Sequence, residues 1–185
     1  MVRRDPAAAE RLTRLLDHLD AWASGLGPAD LATPTRRGAS VGVVVDRLRE
    51  ARAAASALNP GDALRLEAAV VTDADALAAA LPGGPPPVPR ASLAAAVRTT
   101  LGVLAERHPG QVIEVRVPPW GAVQVGRPGV ASVHRRGTPP NVVETDAATW
   151  LRLAAGTLAW ADAVAAHAVS ASGPHAQLGD LLPLA

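Results

Sequence analysis

Cysteine is absent from these 185 residues, and so are lysine, phenylalanine and tyrosine. Without thiols the chain has no disulfide staples, no thiolate metal ligands and no cysteine nucleophile. Without lysine it has neither a Schiff-base amine nor the lysine of a phosphate-binding P-loop. With only four tryptophans, it also lacks the stacking platforms that hold single-stranded nucleic acid. Net charge is small, because 18 basic residues, all arginine, face 17 acidic ones for a formal +1. That balance leaves no electrostatic footprint for nucleic acid, and no nucleic-acid partner is expected. No apolar run reaches the roughly 20 residues that a spanning helix needs, so stable membrane insertion is not expected. The opening MVRRDPAAAERL has basic residues but no apolar segment behind them, unlike a secretory signal, and the expected location is cytoplasmic.

What is present fits a folded globular chain: 49% hydrophobic and 19% charged residues. The length suits one ordinary domain, or a small domain with an accessory segment. Asp5 and Pro6 read as an N-cap and first helical residue. Leu12, Leu15, Leu16, Leu19 and Trp22 follow at helical spacing, and Gly25 supplies a stop. Residues 26–39 read as loop. Ser40 to Leu58 reads as helix, although VGVVV alone has strand character. Asn59-Pro60-Gly61-Asp62 reads as a turn. Leu64 to Val71 suits helix or strand equally, and Thr72 to Leu81 reads as a short Ala-rich helix capped by Thr72 or Asp73. The Pro-rich run from Pro82 to Pro89 reads as a stiff linker.

Beyond the linker, Ser92 reads as the cap of a helix with the stripe Leu93, Val97, Leu101 and Leu104. VIEVRV and AVQVG alternate apolar and polar residues around a PPWG turn, the pattern of an antiparallel hairpin. Residues 126–141 read as a long loop with a short strand at VASV. Val142 to Thr145 reads as a further strand, and Asp146 as the cap of a helix carrying Trp150, Leu153 and Ala154. Gly156 breaks that helix. The next one carries Trp160, Ala163, Val164 and His167 on one face. Ala168 to Ser172 alternates as a returning strand, and Leu178, Leu181 and Leu182 finish the chain as an amphipathic turn.

This order from Ser92 to Leu184 resembles a sterol carrier protein-like domain. The residues carrying the likeness are Val142-Val143-Glu144-Thr145-Asp146, Trp150-Leu151, Gly156-Thr157-Leu158, Ala163, Ser170-Ala171-Ser172-Gly173 and Leu181-Leu182. RRGTPPNVVETD is also similar to the stand-alone actinobacterial branch of that family. The resemblance implies an α+β fold, with a curved antiparallel sheet, helices on one side, and an apolar tunnel for a lipid, sterol or acyl chain. It divides the chain into a mainly helical segment over 1–89, with linker 82–89, and a lipid-binding domain over 90–185. Against the family pattern, residues 26–89 look like an insertion between two helices that the family possesses.

The candidate pocket residues are Trp120, Val123, Val125, Trp150, Leu153, Leu158, Trp160, Val164, Leu178 and Leu182. Trp120 suits either the pocket mouth or a pin for its turn, and Trp150 and Trp160 suit tunnel wall or plain core. Arg135 and Arg136 are candidate head-group contacts, or simply a solvated pair, since guanidinium matches oxyanions. The histidines at 18, 108, 134, 167 and 175 are scattered without metal-ligand spacing, so no metal and no cofactor is expected. Ser132, His134 and Asp146 can be drawn as a triad, but no nucleophile elbow accompanies them, and no catalytic residue is assigned. The expected function is non-catalytic binding or transfer of a lipid or fatty acyl molecule. Two rivals stand beside it: an interaction module with a solid scaffold whose partner docks on residues 1–89, and a diverged thiol-dependent isomerase.

Overall fold

The computed structural model describes residues 7–36, 38–85, 87–130 and 141–184. The expected cap at Asp5-Pro6, the strand at VASV beyond Val130, and the triad members Ser132 and His134 lie outside those residues. The chain divides into two compact units, and the cut falls between Ala96 and Val97.

The first unit is helical: α1 (Ala8–Ala23), α2 (Pro28–Ala32), α3 (Val41–Ala55) and α4 (Pro60–Ala80). Leu12, Leu15, Leu16 and Leu19 bury the predicted stripe of α1 against α3 and α4. α3 and α4 pack on α1 and on each other, and α2 packs on α3, so residues 26–89 contribute three helices to one bundle with α1. Three local expectations are corrected. Residues 26–39 contain α2, started by Pro28 at its first position and by Asp30, whose carboxylate accepts from the Gly27 N–H at 3.0 Å. Asn59 begins a helix instead of turning the chain, because its side chain accepts from the Gly61 and Asp62 amides, each at 3.0 Å. Leu64 to Ala80 is then one continuous element with Pro60, and Thr72 donates to the Ala68 carbonyl at 3.0 Å within it instead of capping a new helix.

Arg11 and Glu67 tie α1 to α4. Glu67 is fully buried, and Arg11 donates to it from Nε at 2.8 Å and Nη2 at 2.7 Å. Such a two-point guanidinium grip is what a buried carboxylate requires. On the surface Arg49 pairs with Asp20, Arg52 with Asp17 and Arg47 with Asp73. Exposed pairs of this kind contribute about 0–1 kcal/mol each.

The second half is α+β: α5 (Arg90–Arg107), β1 (Ile113–Val117), β2 (Gly121–Val125), β3 (Val142–Thr145), α6 (Ala147–Ala154), α7 (Trp160–Ala165), β4 (Val169–Ser172) and a short 3-10 turn, η1 (Gly179–Leu181). α5 begins at Arg90, so Ser92 lies inside the helix and does not cap it. Its hydroxyl is buried without a partner among the described residues.

The sheet is open, in the order β2-β1-β3-β4. The predicted hairpin is present, pairing Val115 with Val123 and Val117 with Gly121. β3 and β4 are antiparallel, but β1 and β3 are parallel, so the expected antiparallel sheet is mixed. The reason is geometric. β2 ends beside the start of β1, and β3 begins at that same end on the other side of β1. A strand starting there must run alongside β1 in the same direction.

Strand alternation sorts the side chains by face. Ile113, Val115, Val117, Val125, Val143 and Thr145 are buried, while Glu114, Arg116, Gln124, Glu144, Ser170 and Ser172 share the more open face. α5 lies close to the hairpin: a Cβ on Gly121 would meet Leu101 at 3.3 Å. α6 joins α5 where the Trp150 Nε1–H donates to the Thr100 hydroxyl at 2.7 Å.

Candidate functional site

Local chemistry sets the helices that carry most of the apolar candidates. The Asp146 carboxylate accepts from the Thr149 amide at 3.0 Å and hydroxyl at 2.7 Å, which starts α6 where predicted. Burial pushes the Asp146 carboxyl up, but the bonds from Thr149 and from nearby backbone amides outweigh it and hold the group below its ordinary value. α6 ends at the predicted break, with Gly156 at φ +71° and pressed against Pro183. That left-handed backbone and the nearby ring together call for glycine.

The chain then folds back over this turn. The Leu184 N–H donates to the Ala154 carbonyl at 2.8 Å, and a Cβ on Gly179 would sit 3.3 Å from the Trp160 ring. The end of α6, the start of α7 and the tail thus converge. Of the residues around this convergence, Leu153 and Leu178 are buried, Leu158, Trp160 and Leu182 are half-buried, and Val164 is 40% exposed. Of the four residues read on one face here, Ala163 is buried, Trp160 is half-buried, and Val164 and His167 are exposed. With two short turns, the helix covers little more than one contact row.

The remaining candidates lie elsewhere. Val123 and Val125 are on β2, the opposite edge of the sheet from β4, with Trp120 half-buried in the turn before them. Trp150 is fully buried between these groups in sequence and bonded to α5. Arg135 and Arg136 fall outside the described residues.

Asn141 was not singled out by the sequence, yet it is a junction. It is buried, its amide donates to the Val112 carbonyl at 2.8 Å, and its side-chain oxygen accepts from the His175 N–H at 2.9 Å. Its own carbonyl accepts from the Glu114 N–H at 2.9 Å. One side chain therefore joins the start of β1 to the segment following β4. The only sequence signal was its place at the head of a strand after two prolines.

On the open face, Arg116 donates to Glu114 from Nε at 3.0 Å and Nη2 at 3.2 Å. That bond and the Glu114 charge raise the Arg116 pKa, desolvation opposes them, and Glu144 adds a further rise. Glu114, Arg116 and Glu144 thus form a charged row on this face. A separate cleft of about 270 Å³ opens between the end of α5 and the exit of β2, lined in part by Arg107, His108, Gly110, Gly126 and Arg127. None of the ten apolar candidates lines it. Among the described residues no three His, Asp or Glu side chains converge as a metal set, and no helix is long and apolar enough to cross a membrane.

The family model described as bacterial SCP ortholog matches residues 89–184. No curated protein matches the chain.

Proposed function

The chain belongs to the bacterial SCP ortholog family, a sterol carrier protein-like group, through residues 89–184, and from that premise we propose that its second half binds or transfers a lipid or fatty acyl molecule without chemical conversion. Family membership carries the reading. It is supported by large apolar side chains, Leu158, Trp160 and Leu182, left partly reachable by solvent where α6, α7 and the tail converge. Exposed apolar surface gathered in one place is a recognised mark of a binding region.

The energetics suit a hydrocarbon chain. Each buried methylene contributes about 0.8 kcal/mol, so a chain of about a dozen gains on the order of 10 kcal/mol before ordering costs are subtracted. No polar contact is needed, and selectivity among chains of similar length is expected to be loose. Native mass spectrometry of freshly purified protein tests the reading. The expected result is a species heavier by one lipid mass that disappears on delipidation; protein carrying only its own mass after purification from a lipid-containing lysate counts against it.

A second reading has its own observation. Val125, Trp150, Leu153 and Leu178 are each no more than 2% exposed, as in a solid scaffold. On that reading the second half is a packed frame, and residues 1–89 dock a protein partner.

A further inference from the structure

The cleft beside α5 is built from residues that the apolar reading does not use. Its floor depends on two glycines. A Cβ on Gly110, at φ +149°, would come within 2.6 Å of the Gly126 Cα, and one on Gly126 would collide with the Pro109 carbonyl oxygen. Backbone contact at this distance admits no other residue at either position. The Gly126 N–H donates to the His108 carbonyl at 2.8 Å, and the Val112 N–H to the Val125 carbonyl at 2.8 Å, so the two walls are fastened together.

Around this floor Arg107, His108 and Arg127 supply the polar side chains, beside Pro109, Val112, Pro128 and Val130. Arg127 is held from behind: Nη2 donates to Asp180 at 3.2 Å and Nη1 to the His175 carbonyl at 3.4 Å. A guanidinium has five N–H donors, so two committed bonds fix its plane and leave donors for a ligand. Among the described residues the Arg107 guanidinium and the His108 ring make no hydrogen bond or ion pair. Among the described residues lining the cleft two are arginines and none is acidic, and the Asp180 carboxylate bonded to Arg127 offsets one of those charges. Its volume, about 270 Å³, equals roughly nine waters at about 30 Å³ each, more than a bare phosphate needs.

We propose that this cleft binds an oxyanion, a phosphate or phosphate ester, between Arg107 and Arg127, with His108 as a further donor. Arg127 is positioned before the ligand arrives, which lowers the ordering cost of binding, and guanidinium geometry matches phosphate oxygens in pairs. The site is separate from the acyl-chain reading and stands without it. Its ligand chemistry has two sources, free phosphate or the head group of an anionic lipid.

Amide chemical shifts of the full chain, followed during titration, test the site. One arm uses inorganic phosphate and the other dihexanoyl phosphatidic acid, which carries the same group on short chains. Saturable shifts at Gly110, Gly126 and Val130 are expected in at least one arm. Saturation with inorganic phosphate identifies a free oxyanion as sufficient; saturation with the lipid alone identifies the head group. Arg107→Gln, at an exposed helix end, should weaken binding at least tenfold with the rest of the spectrum unchanged. Arg98→Gln removes the same charge from the same helix outside the cleft and should leave binding intact. No saturable shift in either arm overturns the proposal, as does equal binding by Arg107→Gln or equal weakening by Arg98→Gln.

Discussion

At the scale of single residues, three side chains hold conformations that a substitution can test. Asp146 caps α6 through Thr149; Asp146→Ala should lower unfolding free energy by about 1 kcal/mol in urea titration. Its folded carboxyl lies below the ordinary 3.8. The charged form makes the cap, so its contribution is complete above that value and is lost as pH falls through the lowered folded-state value. Asp146→Asn keeps an acceptor without the titration, and its stability curve should be flatter on the acid side; a curve parallel to the parent's contradicts this. His167 sits at φ +53° after α7, where the Ala168 N–H reaches the Ala163 carbonyl at 2.9 Å. His167→Gly should therefore stabilise the chain by about 1 kcal/mol in the same assay. Asn141 satisfies two backbone groups at once, one buried and one part-buried, and Asn141→Ala should cost about 2 kcal/mol. Asp146 and Gly156 were legible in the sequence because caps and breaks act within a few residues. Asn141 was not, because its partners Val112 and His175 are distant in the chain.

At the scale of elements, α4 shows why local reading stops short. Asn59-Pro60-Gly61-Asp62 has the composition of a turn, yet asparagine at a cap and proline at the next position also start a helix. Packing against α1 and α3 decides between them. The same holds for Glu67, whose burial depends on Arg11 from another helix. Arg11→Ala leaves that carboxylate buried and alone, and should destabilise the chain by about 3–5 kcal/mol. Replacing both residues with apolar ones of similar size should recover most of the loss. Chemical denaturation of the single and double variants distinguishes this from a surface pair, for which the single change would cost under about 1 kcal/mol. The strands β1 to β4 were all legible from alternation, whereas the parallel β1/β3 pairing was not. It follows from β3 beginning beside the start of β1, on the side away from β2.

At the scale of the whole molecule, the order of elements from α5 to the tail carried the family, which the match over residues 89–184 shows. The candidate site was less legible. Val125, Trp150, Leu153 and Leu178 are buried deep in the structure, while Leu158, Trp160, Val164 and Leu182 retain exposure. Apolar character marks both kinds alike in a sequence; only tertiary contact sorts wall from core. Uptake of an apolar chain by this second half is read by titrating delipidated protein with a fluorescent fatty acyl probe and following tryptophan quenching. Saturable binding with quenching, competed by unlabelled fatty acid, is the predicted result. A linear response with no saturation and no competition would contradict it.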